Sequence, residues 1–86
     1  MPKIEIYTQP RCPYCALAKR LLADKGADFQ EIDAPHATPE RQESIRRSEG
    51  RTSVPQIFID GRHLGDCEGL SALDRAGKLD AVLHPG

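Results

Sequence analysis

Apolar and polar residues alternate at the start of the chain, in Lys3-Ile4-Glu5-Ile6-Tyr7. This two-residue period predicts a strand over residues 3–7 with Ile4 and Ile6 on one face. The spacing then lengthens. Over residues 13–25 the pairs Leu17/Leu21 and Ala18/Leu22 recur at i, i+4, which predicts a helix with these four on its buried side. Gly26, directly behind Lys25, is its stop signal. A weaker strand follows at 28–32, carried by Phe29 and Ile32. Thr38-Pro39 marks a second helix start, Thr38 as N-cap and Pro39 in the first position. That helix, to about Ser48, carries Ile45 and little else apolar, so it is expected to lie largely exposed.

Strand character returns at Val54-Pro55-Gln56-Ile57-Phe58-Ile59, where the apolar run 57–59 suits a strand covered on both faces. Asp60-Gly61 signals a hairpin turn, and Arg62-His63-Leu64-Gly65 continues as a short edge strand. Asp66 can cap a last helix in which Leu70, Leu73 and Ala76 share a face. Gly77 breaks it, and Leu79, Val82 and Leu83 add one more helical turn. The order β-α-β-α-β-β-α predicts an α/β fold, a four-stranded sheet flanked by helices on both faces. The βαβ unit must be parallel and right-handed and the later hairpin antiparallel, so the sheet is mixed. Eighty-six residues without repeats or linkers are expected to form a single domain, 1–86.

Composition then removes whole classes of function. A hydrophobic content of 38% and a charged content of 29% suit a soluble globular protein. A net charge of −1, with no basic run, gives no reason to expect nucleic-acid binding. No apolar stretch approaches membrane-spanning length, and residues 1–15 lack the hydrophobic core of a signal peptide. Three cysteines, one outside any pair, make no disulfide framework. A cytoplasmic protein in a reducing compartment is the expectation.

The chemistry is concentrated in Cys12-Pro13-Tyr14-Cys15, at the junction of the first strand and the first helix. Backbone N–H groups in a first helical turn lack intrahelical partners and favour an anion, so a cysteine there tends toward thiolate, the reactive form. Pro13 suits the first helical position. No acid occurs from Thr8 to Ala23, whereas Arg11, Lys19 and Arg20 do. An ordinary thiol is only roughly 3% thiolate at pH 7. A stabilised thiolate also leaves readily, so its main gain is rapid discharge of a mixed disulfide. Half of a zinc site is the other use of a CxxC pair, with Cys67, His36, His63 and His84 as further ligands, but no second CxxC or HxxxH exists. A purely structural disulfide would close a very short loop and stabilise little. Redox chemistry is the stronger reading.

Three segments carry a family resemblance: Ile6-Tyr7-Thr8 leading to Cys12-Pro13-Tyr14-Cys15, the run from Arg51 to Gly61 containing Ser53-Val54-Pro55, and Gly65-Asp66-Cys67-Glu68-Gly69-Leu70. With these, the chain resembles the glutaredoxins, specifically the small bacterial dithiol type, over nearly its whole length. The resemblance implies the thioredoxin fold and a cis Val54-Pro55 bond opposite the dithiol. It also implies no bound cofactor, with glutathione as reducing co-substrate. The implied activity is glutathione-dependent reduction of protein–glutathione mixed disulfides and protein disulfides, with Cys12 attacking and Cys15 resolving. Glutathione would be bound by Arg11, Tyr14, Arg51, Ser53, Val54, Pro55, Asp66, Cys67 and Glu68.

The residue types suit that ligand. Arg51 offers a fork for the glycine-end carboxylate, with Arg11 as a second candidate. Val54 can pair through its backbone with the cysteinyl unit, like an added strand. The amides of Cys67 and Glu68, at a helix start, can hold the γ-glutamyl carboxylate. Tyr14 would pack beside the sulfur. Position 69 departs from the family, with Gly where an acid is usual, so Glu68 or Asp66 must meet the γ-glutamyl ammonium. Gln9 stands where Lys is frequent, and Arg11 supplies a basic group two positions on. Cys67 reads either as a buried small hydrophobe or as a modifiable thiol; His63 reads as a solvated edge residue and His36 as part of a loop. Partners implied are glutathione and glutathionylated or disulfide-containing proteins, ribonucleotide reductase among them by family expectation, with the chain a monomer. Two alternatives stay open: a [2Fe–2S] cluster shared between subunits, and reduction by thioredoxin reductase instead of glutathione.

Overall fold

The computed structural model describes residues 2–85. The chain runs β1 (Ile4–Thr8), α1 (Pro13–Asp24), β2 (Gln30–Asp33), α2 (Pro39–Arg47), β3 (Gln56–Ile59), β4 (Arg62–Gly65), α3 (Cys67–Arg75) and α4 (Leu79–Leu83). The strands form one sheet in the order β2-β1-β3-β4. β1 is parallel to β2, with Glu5 opposite Gln30 and Thr8 opposite Asp33. β1 and β3 are antiparallel, as are β3 and β4, so the sheet is mixed as expected. Among the described residues no helix is long and apolar enough to cross a membrane.

Two small cores lie on opposite faces. On one, Ile4, Ile6 and Ile57 of the sheet meet Ala18 and Leu22 of α1, Leu70 of α3, and Leu79 and Leu83 of α4. On the other, Tyr7, Phe58 and Ala34 pack with Ile32 and Val54. Local signals operate as the residue types dictate. Gly26 takes φ 69°, the left-handed value that ends α1 while its N–H bonds Ala23 O. Asp60 and Gly61 take φ 51° and 82°, the pair of positive values of a type I′ hairpin turn.

Several expectations need correcting. The buried stripe of α1 is Cys15, Ala18 and Leu22, and Leu17 is 55% exposed. Leu21, half-buried, still packs against the core as expected, so the correction concerns Leu17 alone. β1 extends to Thr8, whose carbonyl accepts from Ala34 N–H. β2 begins at Gln30 because Ala27 N–H is still bonded to Leu22 O at the end of α1; Phe29 packs on the core from just outside the strand. Nor is α2 largely exposed. Arg41 and Ser44 are buried, so its inner face is polar.

The outer end of α2 is held electrostatically. The Arg47 guanidinium lies 4.2 Å from the Phe58 ring centroid, donates to both Glu5 carboxylate oxygens at 2.9 and 3.2 Å, and donates to Tyr7 Oη at 2.9 Å. The hydrogen bonds from Arg47 hold the Glu5 carboxyl below its ordinary 4.5. A depressed carboxyl contributes stability above its unfolded value and loses it as pH falls through the folded value. Thermal unfolding followed from about pH 6 to about pH 3 should therefore show a progressive loss of stability to which Glu5 contributes. Glu5→Gln, less stable at neutral pH, should show a shallower loss; an identical slope would remove Glu5 from the acid response.

Candidate active site

Cys12 follows β1 after a short loop and is the N-cap of α1, with extended backbone (φ −108°, ψ 103°) and Pro13 in the first helical position. Its Sγ accepts the Cys15 backbone N–H at 3.2 Å. A sulfur thus does what a Ser or Asp oxygen usually does at a helix start. Arg11, immediately before it, takes φ 60°. Across the site the Val54–Pro55 bond is cis, and Val54 O lies 3.8 Å from Cys12 Sγ. Cys12 is half-buried and Cys15 only 2% exposed. Burial, aided by the neighbouring Cys12, pushes the Cys15 thiol up to about 12. One sulfur is reachable and faces helix N–H groups; the other waits beneath it as a thiol.

Two grooves flank Cys12. The first, of about 510 Å³, is lined by Tyr14, Leu17, Ser53, Val54, Pro55, Asp66, Cys67, Glu68, Ser71 and Arg75. Seven residues singled out in the sequence therefore converge on one surface. The second groove, of about 580 Å³, contains Cys12, Cys15, Arg11 and Lys19 together with Glu31 and Asp33. Glu31 accepts from Thr8 Oγ1 at 2.7 Å and Lys19 Nζ at 3.0 Å, and these bonds hold its carboxyl below its ordinary value. Arg11 is thus placed away from the first groove. Arg51 lines neither groove; its Nη1 approaches Asp66 Oδ2 at 3.8 Å.

Asp66 is engaged through one oxygen. Its Oδ1 accepts Gly69 N–H at 2.9 Å, the N-cap bond expected for α3, while Oδ2 faces Arg51. Glu68 is exposed and lines the first groove. Cys67 and Glu68 open α3, where backbone N–H groups have no intrahelical acceptor. Burial pushes the Cys67 thiol up as well.

Sequence reasoning missed Leu17, Ser71 and Arg75 in this groove. Their signal was available: Cys67, Ser71 and Arg75 are spaced by four along α3, and Tyr14 and Leu17 by three along α1, so each set shares a helix face. His63 is exposed on its edge strand, as expected, and also makes contacts of its own. Its ring stands 5.1 Å from that of Phe58, and Nε2 lies 2.6 Å from Gln56 Oε1. Gln56, wholly buried, donates through Nε2 to Ser53 O at 3.1 Å, which leaves its Oε1 to accept from His63. Burial pulls the imidazole below its ordinary value.

Known proteins are similar to this chain in sequence and fold. The glutaredoxin family profile matches residues 4–64. Glutaredoxin 3 of Escherichia coli K12 is 53% identical over 83 residues, 96% of this chain and 99% of that one. The solution structure of glutaredoxin from Brucella melitensis superposes with a TM-score of 0.82 at 57% identity, covering 96% of this chain and 89% of that one. The buckwheat glutaredoxin–glutathione complex gives 0.82 at 28% identity, over 95% and 76%. The four-stranded mixed sheet of thioredoxin type matches these glutaredoxin structures, and Cys12 and Cys15 are spaced as in a CxxC motif. The chain belongs to the glutaredoxin family of thiol–disulfide oxidoreductases.

Proposed function

We propose that this protein is a glutathione-dependent oxidoreductase that reduces protein–glutathione mixed disulfides and protein disulfides, acting as a cytoplasmic monomer. The observation that carries the reading is the placement of Cys12 Sγ, capped by the Cys15 N–H and facing the Val54 carbonyl beside the first groove. The glutathione complex of the buckwheat relative supports the choice of reductant.

In the first step the Cys12 thiolate attacks the glutathionyl sulfur of a mixed disulfide. The Cys12–glutathione bond forms, and the target protein leaves as thiolate and takes up a proton. The tripeptide then lies along the first groove, its cysteinyl backbone against Val54 and its γ-glutamyl carboxylate at the Cys67 and Glu68 amides. A second glutathione thiolate attacks the bound glutathionyl sulfur, releasing oxidised glutathione and the Cys12 thiolate. With a protein disulfide, Cys12 becomes joined to the protein. Cys15 then loses its proton, attacks Cys12 Sγ and expels the second protein thiol; two glutathiones reduce the Cys12–Cys15 bond. Burial of Cys15 keeps it a thiol until an adjacent disulfide presents itself, so it does not compete for the first attack.

One oxygen of Asp66 is taken by the helix cap and the other faces Arg51, which favours Glu68 for the γ-glutamyl ammonium. Position 69 has room for the usual acid, since a Cβ there would stand 3.5 Å from Asp66 Oδ1. Turnover of a glutathionylated substrate should proceed with glutathione, glutathione reductase and NADPH. Turnover sustained by thioredoxin reductase alone would overturn the reading. In the same assay Glu68→Gln should lose severalfold in glutathione use, an effect fading at high salt, because an exposed charge pair contributes about 1 kcal/mol or less. Gly69→Asp should gain a similar factor. A loss confined to Asp66→Asn would reassign the ammonium to Asp66.

A further inference from the structure

The contacts assigned to glutathione gather where α1 and α3 begin, around Tyr14, Val54, Cys67 and Glu68. The first groove does not stop there. It runs on between the two helices, past Leu17 of α1 and past Ser71 and Arg75 of α3. From Cys67 to Arg75 a helix axis advances about 12 Å. Side chains lean toward the start of their helix, so a residue at 75 covers the turn that holds Ser71.

Length decides what can lie in this distal stretch. With its cysteinyl backbone on Val54 and its γ-glutamyl carboxylate on the Cys67 and Glu68 amides, the tripeptide ends at the start of α3. The groove beyond it stays open while glutathione is bound. In a mixed disulfide, the other group joined to the glutathionyl sulfur is the target protein, so the open stretch faces that protein.

Its chemistry is selective. Tyr14 and Leu17 are the large apolar side chains left exposed among the described residues, and Leu17 lies at the distal end. Arg75 is exposed, is the one cation lining the groove, and has no carboxylate partner among the described residues. Its neighbour Asp74 is taken by Lys25 at 2.9 Å. The groove's two acids, Asp66 and Glu68, sit at the opposite end, where Arg51 faces one and the γ-glutamyl ammonium would meet the other. With the tripeptide in place, Arg75 is the unopposed charge.

We propose that the distal end of the first groove docks the target protein, and that Arg75 is its specificity residue, favouring mixed disulfides with an acidic side chain close to the modified cysteine. The inference rests on the glutathione reading given above. Leu17 offers an apolar surface that many segments can cover; Arg75 supplies the discrimination. A charge at the rim of an interface acts mainly on the rate of encounter and its salt dependence. The effect therefore belongs to the first step, attack on the mixed disulfide, and not to discharge by the second glutathione.

The test uses two glutathionylated peptides of one sequence, with glutamates on both sides of the modified cysteine in one and glutamines in the other. The wild-type protein should show the higher kcat/KM on the glutamate peptide, a preference that fades as salt rises. Arg75→Gln should lower that value about threefold at low salt, the scale of an exposed ion pair. The glutamine peptide should change far less, and the KM for glutathione should stay the same. Arg75→Glu should invert the preference. Arg62→Gln removes the same charge from the end of the sheet away from Pro55, where Arg62 pairs with Ile59, and should keep the wild-type preference. An equal loss on both peptides, a raised KM for glutathione, or the same shift in Arg62→Gln would overturn the inference. So would a wild-type protein without the preference, or a preference that survives Arg75→Glu. A wild-type protein that turns over neither peptide with glutathione would instead overturn the glutathione reading, and this inference with it.

Discussion

Cys12→Ser is expected to abolish turnover of every disulfide substrate, while Cys15→Ser keeps deglutathionylation and loses the reduction of protein disulfides. The two sulfurs are three residues apart, but their surroundings differ sharply. Cys12 Sγ is reachable, caps α1 and receives the Cys15 N–H; Cys15 is 2% exposed and held as a thiol by burial. A serine hydroxyl at position 12 can keep the cap, so the fold should survive while the nucleophile is lost. Loss of Cys15 removes only the second, intramolecular attack. Steady-state rates on a glutathionylated peptide and on a protein disulfide separate the two variants. A Cys12→Ser protein that still discharged the glutathionylated peptide at near wild-type rate would make the assignment wrong.

Phe58→Ala should have the largest effect on stability. The ring is wholly buried, meets Tyr7 edge-on at a centroid distance of 5.6 Å, lies 5.1 Å from His63, and carries the Arg47 guanidinium on it at 4.2 Å. It is the centre of the smaller core, which has few other residues to close a cavity. Truncation of a buried phenylalanine costs about 3–5 kcal/mol, a large share of the roughly 5–15 kcal/mol available to a domain. Phe58→Leu, which keeps most of the volume, should lose far less. Denaturant unfolding of both variants gives the difference directly. A loss below about 1 kcal/mol for the alanine variant would show that the α2 face contributes little to the fold.

Element types and order were readable because each is encoded locally: Thr38 and Asp66 cap helices with their side chains, and Asp60-Gly61 sets a turn with its backbone. The dithiol was readable for the same reason. How far each residue of α1 turns inward was not, since Leu17/Leu21 and Ala18/Leu22 are equally periodic, yet Leu21 reaches the core and Leu17 stays exposed. The polar inner face of α2 was also hidden. Arg41 is surface-like by composition, and the carbonyls that bury it come from loops distant in sequence. The first groove lay between these extremes. Seven of its residues were named from resemblance and residue type, while Leu17, Ser71 and Arg75 join it only once α1 and α3 are set side by side.

The sulfur that caps α1 has a thermodynamic consequence. Cap and reactant are one atom, so the folding equilibrium and the reduction of the Cys12–Cys15 pair form a closed cycle. Whatever the fold gains from the Cys15 N–H bonded to a free Cys12 sulfur, relative to the disulfide, must appear as a more oxidising potential of the folded pair than of the same pair in the unfolded chain. Each 1.4 kcal/mol of extra stability in the reduced protein corresponds to about 30 mV. Unfolding curves of the reduced and oxidised forms, taken side by side, therefore measure how far the folded structure moves the pair's potential from that of the unfolded chain.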